Sequence, residues 1–428
     1  MHHVETRRRL TLVIDHHSPD EFYRMLVRWG FNQPECMLFD SCGHTQDRFY
    51  EYDWIFFAGA KRYMPWEEIH LSPPSLCDDW MGFLLAYNFK STLVGHINQK
   101  NSFFTTPEAI FFTPRWVFYS KGQTVFAEFL PEDTESFREV LKCIQICDIR
   151  ESSPNKIPDF APVTTHEAYI STFHKIQEHL YRGDIYEMNY CVFYVSDQPL
   201  SNIPDTWFQR VQRSRAPMSG LFKFGNITTL SHSPERFFTV RNGTLYSQPI
   251  KGTIRRGLDE EEDKKLKLQL FESRKERSEN VMIVDLVRND MSRICEIGSV
   301  HVDELFGIHT FASVHQMIST IRGQLSPGST IGDIFRSLFP MGSMTGAPKL
   351  SAMNIIERVE SHNRGIYSGT AGYVAPGGNM DCSVIIRSVV ADVSKGYSYI
   401  GVGSAVTIYA NATDEYDECL LKLSSVIS

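Results

Sequence analysis

The chain has 428 residues, 42% of them hydrophobic and 22% charged, a balance that suits a globular protein with a large core. Its formal net charge of −8 argues against a nucleic-acid backbone as partner, because phosphate binding needs a basic footprint. Nine scattered cysteines without a Cys-x-x-Cys pair, no apolar stretch behind the charged N-terminus and no apolar run long enough to span a bilayer predict a cytoplasmic protein without a membrane segment.

Residues 1–150 read as a β-rich N-terminal region of short strands with irregular links, among them 10–14, 36–39 and 54–59. The polar, proline-bearing stretch 151–158 is the best linker, and 160–428 reads as a second, catalytic domain. Within it, 168–182 carries apolar residues at helical spacing and stops at Gly183, 186–195 reads as a strand and 204–213 as a helix. A meander follows from Leu221 to Ile250, with Asn242-Gly243 as a tight hairpin turn.

Five features carry chemistry. In Gln248-Pro249-Ile250-Lys251-Gly252-Thr253, Pro249 cannot donate to a sheet and Gly252 frees the backbone, so Lys251 is expected where a strand ends and the chain turns into a cavity. Glu276 and Glu279, three apart on a helix, share one face, and Glu415 and Glu418 repeat the arrangement. Together the two pairs would make an oxygen-rich site suited to magnesium. The run from Pro340 to Lys349, which includes Thr345 and Gly346, feeds a helix and leaves N–H groups bare, as an anion cradle would. It lacks the Walker A spacing, which favours a carboxylate over a nucleotide phosphate. Arg387 closes an apolar run and Gly401-Val402-Gly403 brings bare backbone close to a neighbour. Each feature alone has a plainer reading, as a surface lysine, solvated glutamates, a capped helix start, a strand-end arginine or a bulge. Together they outline an active site.

Gly183-Asp184-Ile185-Tyr186, Ser233-Pro234-Glu235-Arg236, Pro249 through Thr253, Glu279-Asn280 with the run 283–290, Gly342 through Lys349 and Glu415-x-x-Glu418, in this order, resemble the chorismate-utilising enzymes over roughly residues 165–425. The likeness is greatest to the branch that makes 4-amino-4-deoxychorismate. It implies an α+β fold of two large antiparallel sheets packed as a sandwich with surrounding helices and the active site between them. It implies magnesium held by Glu279 and Glu418 directly and by Glu276 and Glu415 through water. Chorismate carboxylates would be bound by Tyr373, Arg387, Lys422 and the backbone at Gly401 and Gly403, and Glu235 would protonate the departing 4-hydroxyl. Lys251 would attack ring carbon 2 and be displaced as ammonia arrives at carbon 4. A lysine does this only as the free amine, so burial or nearby cations, with Arg255 and Arg256 as candidates, should lower its pKa. Anthranilate-forming members usually carry alanine there.

Two positions depart from the pattern. Glu187 stands where water-using members have a lysine and ammonia users usually have glutamine, and Gln316 stands where many members have histidine. In the N-terminal region, Leu38-Phe39-Asp40-Ser41 is similar to a strand that lines a tryptophan pocket in some relatives. The resemblance implies conversion of chorismate and ammonia to 4-amino-4-deoxychorismate, toward 4-aminobenzoate and folate. The alternatives are anthranilate synthesis and, from another class, a non-catalytic carboxylate-binding regulatory module. Ammonia would come from a separate glutamine amidotransferase subunit, since Asp40-Ser41-Cys42-Gly43-His44 lacks the glycine that precedes a nucleophilic cysteine.

Overall fold

The computed structural model describes residues 6–12, 18–95, 100–122, 124–148, 157–311 and 314–427. The described residues form an α+β fold built on antiparallel strands. One run of paired strands passes from Thr124–Phe129 through Ala109–Lys121, Trp54–Tyr63, Glu35–Asp40, Met218–Phe224, Ile227–Ser233, Ser388–Asp392 and Tyr397–Thr407 to Glu187–Ser196. A second passes from Met81–Leu85 through Thr370–Val374, Met380–Val384, Arg236–Arg241 and Thr244–Ser247 to Val314–Gln324. Strand Ala109–Lys121 belongs to both, because its first half pairs with Met81–Leu85 and its second half with Trp54–Tyr63. The two expected sheets are thus joined along one long strand.

Between the runs lies an aromatic core that includes Phe57, Phe83, Phe112, Phe222 and Phe238. Each such side chain, fully buried, contributes about 1.5–3 kcal/mol of transfer free energy. A second core packs the helices Pro19–Phe31, His166–Tyr181 and Ile203–Ser214 against the outer face of the first run, through Leu26, Phe173 and Trp207 among others. The hairpin at Asn242-Gly243 forms as expected. Both residues have positive φ, 50° and 77°, which two-residue hairpin turns of this hand require.

The N-terminal strands are not a separate layer. Glu35–Asp40 pairs with Met218–Phe224, and Met81–Leu85 pairs with Thr370–Val374, so the stretches before 150 and after 160 share both sheets. The expected linker lies mostly outside the described residues, which resume at 157. No helix among the described residues is long and apolar enough to cross a membrane.

Candidate active site

A cavity of about 570 Å³ lies where strands Ile250–Arg255, Tyr397–Thr407 and Glu187–Ser196 meet helices Arg274–Ser292 and Ala412–Ile427. Lys251, Glu235, Arg387, Lys422, Gly401 and Gly403 line it, together with all four expected metal-ligating glutamates.

Lys251 does not end a strand. It sits in an irregularity between Ile250 and Thr253, where pairing with Val314–Gln324 slips, and the strand then continues. Gly252 has φ +88°, and a Cβ there would lie 2.9 Å from Glu276 Oε2 and 3.1 Å from Glu276 Cβ. The glycine therefore lets helix Arg274–Ser292 close on the strand that carries the lysine. The Lys251 ammonium donates to Glu187 Oε1, while Glu187 Oε2 is buried and finds no partner among the described residues.

This overturns the expected electrostatics of the lysine. Burial does push its pKa down, but Glu187, Glu279 and Glu418 outweigh burial and hold it above the ordinary lysine value. The expected cations are engaged elsewhere: Arg255 donates to Glu262 at 2.5 Å, and Arg256 to Asp263 at 2.7 and 2.8 Å. Glu187, whose place in the site the sequence left open, is the partner of Lys251.

Glu235 lies just before strand Arg236–Arg241. Burial raises its pKa to about 7, although a hydrogen bond from Ser343 and the charges of Lys251 and Lys422 pull the other way. The Ser343 hydroxyl donates to Glu235 Oε1 at 2.7 Å. A carboxyl held this way is a proton donor near neutrality.

The four glutamates come from two helices, as their spacing implied. Burial raises Glu279 to about 7 and pushes Glu276 and Glu415 upward, and for Glu415 the charge of Glu418 adds to the rise. Burial also acts on Glu418, but Lys422, Lys251 and Lys275 overcome it and lower its pKa. Lys422 is 2.5 Å from Glu418, and Lys275 is 3.6 Å from Glu415. Among the described residues no three metal-ligating side chains converge on one point. Magnesium needs only one or two carboxylates and keeps waters, and an all-oxygen donor set in which burial is under-compensated at Glu276, Glu279 and Glu415 fits it.

The residues expected to hold carboxylates divide. Arg387, at φ +50°, reaches the cavity and donates to Ser425 Oγ; burial lowers its pKa. Lys422 donates to the Gly403 carbonyl at 2.7 Å. Gly401 and Gly403 sit in a regular strand rather than a bulge. A Cβ at Gly401 would lie 2.3 Å from the Tyr367 ring, and one at Gly403 would lie 2.5 Å from Asn189 Oδ1, so both glycines admit neighbouring side chains.

Tyr373 is not at this cavity. It packs against Phe39, Phe57 and Trp80 at 5.7–6.2 Å and lines a separate small cavity with Phe39, Asp40, Ser41 and Arg236. Tyr373 lies inside strand Thr370–Val374 and is spent on that aromatic cluster, and the tyrosine that lines the cavity is Tyr367, in the turn before the strand.

The anion cradle is corrected as well. The N–H groups of Met344 and Thr345 donate within their own loop, to Met341 and Gly342, and the Thr345 hydroxyl donates to Met341 O at 3.0 Å. Gly346 pairs with Met188, and a Cβ there would lie 2.1 Å from Glu187 O. Lys349 turns away to Asp290 and to Leu338 O. The loop is tied down by its own groups and presents Ser343 and Met344 to the cavity. Gln316 also faces the cavity, whereas His315 points the other way to Asp263 at 3.0 Å, so His315 does not take its place.

The chain resembles known proteins in the same sense as its cavity. It is 38% identical over 283 residues to the chloroplastic aminodeoxychorismate synthase of Arabidopsis thaliana, covering 65% of this chain and 30% of that protein. It is 38% identical over 272 residues to aminodeoxychorismate synthase component 1 of Escherichia coli K12, covering 63% and 59%. The matched part is thus less than two thirds of either relative. Anthranilate synthase component I of Streptococcus pneumoniae TIGR4 superposes with a TM-score of 0.75 at 22% identity, covering 93% and 91% of the two chains, and shares the fold. Residues 34–428, which hold both strand runs and every cavity-lining residue, match the chorismate binding enzyme family, and the chain belongs to that family.

Proposed function

We propose that the protein converts chorismate and ammonia to 4-amino-4-deoxychorismate. The observation that carries this reading is that Lys251, a primary amine, and Glu235, a carboxyl protonated up to about pH 7, line one cavity. Glu187, bonded to the Lys251 ammonium, takes its proton, and the free amine adds to ring carbon 2. The ring double bonds shift, the C4–O bond breaks, and Glu235 delivers its proton so that water leaves. Ammonia then bonds to carbon 4, Glu235 takes back a proton, and the lysine is displaced.

Arg387 and Lys422, two of the cations that line the cavity, would bind substrate carboxylates, with Tyr367 as the neighbouring aromatic wall. Thr345 and Gly346 act through the loop that seats Ser343, and Tyr373 lies too far into its own aromatic cluster to take part. Glu279 and Glu418 would hold magnesium, with Glu276 and Glu415 through water, and the ion would supply positive charge to a substrate carboxylate. The relative named component 1 supports a separate partner that supplies ammonia, in this reading a glutamine amidotransferase.

The test is product analysis with the purified chain, chorismate, magnesium and ammonium. The product should retain its enolpyruvyl group, glutamine should not replace ammonium, and excess chelator or Glu279→Ala should abolish turnover. Anthranilate as product, glutamine use by this chain alone, or full activity in chelator would each refute the corresponding part.

A further inference from the structure

The interaction at Glu235 supports a further step, which rests on the reading above. We propose that Ser343 is the positioning residue of the general acid: its hydroxyl holds Glu235 Oε1, so that the proton to be delivered sits on Oε2. The geometry is specific. Ser343 Oγ lies 2.7 Å from Oε1, and among the described residues Oε2 accepts no hydrogen bond.

Ser343 is itself fixed from below. Asn189 Nδ2 donates to the Ser343 carbonyl at 2.9 Å. Arg364, 1% exposed, donates to the Met344 carbonyl at 2.5 Å and to the Asn189 carbonyl at 3.0 Å. Its guanidinium is held by Glu360 at 2.6 and 2.9 Å, and Glu360 also accepts from Cys191 N at 2.9 Å. On the other side Gly342 admits Leu286, since a Cβ there would lie 2.4 Å from Leu286 Cδ2. A serine placed by so many buried contacts is held to hydrogen-bond accuracy against its carboxylate.

The chemistry uses this hydrogen bond twice. When the proton on Oε2 moves to the departing oxygen and the C4–O bond breaks, the carboxylate left behind keeps the Ser343 hydrogen bond. When ammonia bonds to carbon 4, the same carboxylate accepts a proton, again on Oε2. The charged groups facing Glu235 are Lys251 from the strand below and Lys422 from the C-terminal helix, with Arg387 and the glutamates of helix Arg274–Ser292 farther along the cavity. None is altered by substituting Ser343.

The experiment compares wild type, Ser343→Ala and Ser343→Thr at fixed saturating magnesium and ammonium. Ser343→Ala should lower kcat by about 10–100-fold, the effect of mispositioning an acid, with KM for chorismate within about 3-fold. Loss of a donor to the carboxylate should move the basic limb of the kcat profile upward by about half a pH unit or more. The titration of the Glu235 carboxyl band in infrared difference spectra, assigned by its loss in Glu235→Gln, should move with it. Ser343→Thr keeps the hydroxyl and should return the limb and the band to their wild-type midpoints. An unmoved limb and band in Ser343→Ala, or a kcat within 2-fold of wild type, overturns the proposal. A wild type that does not turn over chorismate overturns the underlying reading instead.

Discussion

Glu235 and Arg236 are adjacent in the chain and open onto two different regions. Arg236 faces a cluster in which the charges have found partners: Asp381 at 2.8 Å, Asp47 at 2.7 Å and the Gln248 side-chain Oε1 at 2.9 Å, with Arg241 closing on Asp381 at 3.1 Å. Its pKa is raised, since those carboxylates more than offset burial. Glu235 faces the cavity with one neutral hydrogen bond, and its pKa is raised for the opposite reason, because burial is not offset. The same burial on either side of one strand thus yields a saturated structural cluster and an unsatisfied chemical one. A buried charge that the chain leaves without compensation, as at Glu235, points to function.

The largest effect should come from the unsatisfied side. In Lys251→Ala the covalent route is gone, and turnover should fall by about 10³-fold or more. Intact-mass measurement on wild type mixed with chorismate and magnesium without ammonia should find an adduct heavier by chorismate less water on the Lys251 peptide. Lys251→Arg should form none, because a guanidinium stays protonated. Substantial product from Lys251→Ala would mean direct attack by ammonia and would remove the lysine from the chemistry.

On the saturated side the expected loss is in folding. Asp381→Ala leaves Arg236 and Arg241 without their shared carboxylate, and removing one partner of a buried pair costs about 3–5 kcal/mol. Urea unfolding should report that loss, while the fraction still folded should form the Lys251 adduct at close to the wild-type rate. If the adduct disappeared without a loss of stability, the division between the two regions would fail.

The sequence made much of this readable where the argument was local. Helix 168–182 appears as His166–Tyr181, strand 186–195 as Glu187–Ser196, and the Glu-x-x-Glu pairs do lie on helices facing one cavity. Hairpin and helix signals depend on residues within a few positions of one another. What escaped depends on register. Tyr373 and Tyr367 stand six residues apart: pairing of Thr370–Val374 with Met81–Leu85, a strand almost 300 positions away, fixes Tyr373 beside Trp80, whereas Tyr367 lies in the turn before that strand and lines the cavity. Lys349 and Lys251 both follow a proline closely, yet Lys349 is spent on Asp290 and a carbonyl while Lys251 lines the cavity. The glycines at 342 and 346 read as bare backbone awaiting an anion, and each instead makes room for a neighbour in the chain, as Gly401 was expected to do and does.

The smallest expected effect is the sharpest test of the contrast, because it asks whether the cavity carboxyl weakens the fold. Glu235 has its pKa raised from 4.5 to about 7. Between those values the folded state binds the proton and the unfolded state has begun to release it, so stability from this group is fully present below about pH 4.5 and is lost as pH rises through about 7. At pH 8 the wild type therefore keeps an ionised carboxylate in a site that disfavours it. Glu235→Gln is neutral throughout and should be more stable than wild type at pH 8, by on the order of 2–3 kcal/mol, with the gain shrinking toward zero near pH 5. Urea unfolding of both proteins at pH 5, 6, 7 and 8 measures it. The same substitution removes the proton donor, so stability and turnover should move in opposite directions, as expected where a site holds a group the fold alone would reject. Equal stability across the whole range would mean that Glu235 is compensated as fully as Arg236, and the contrast between the two faces of the strand would be lost.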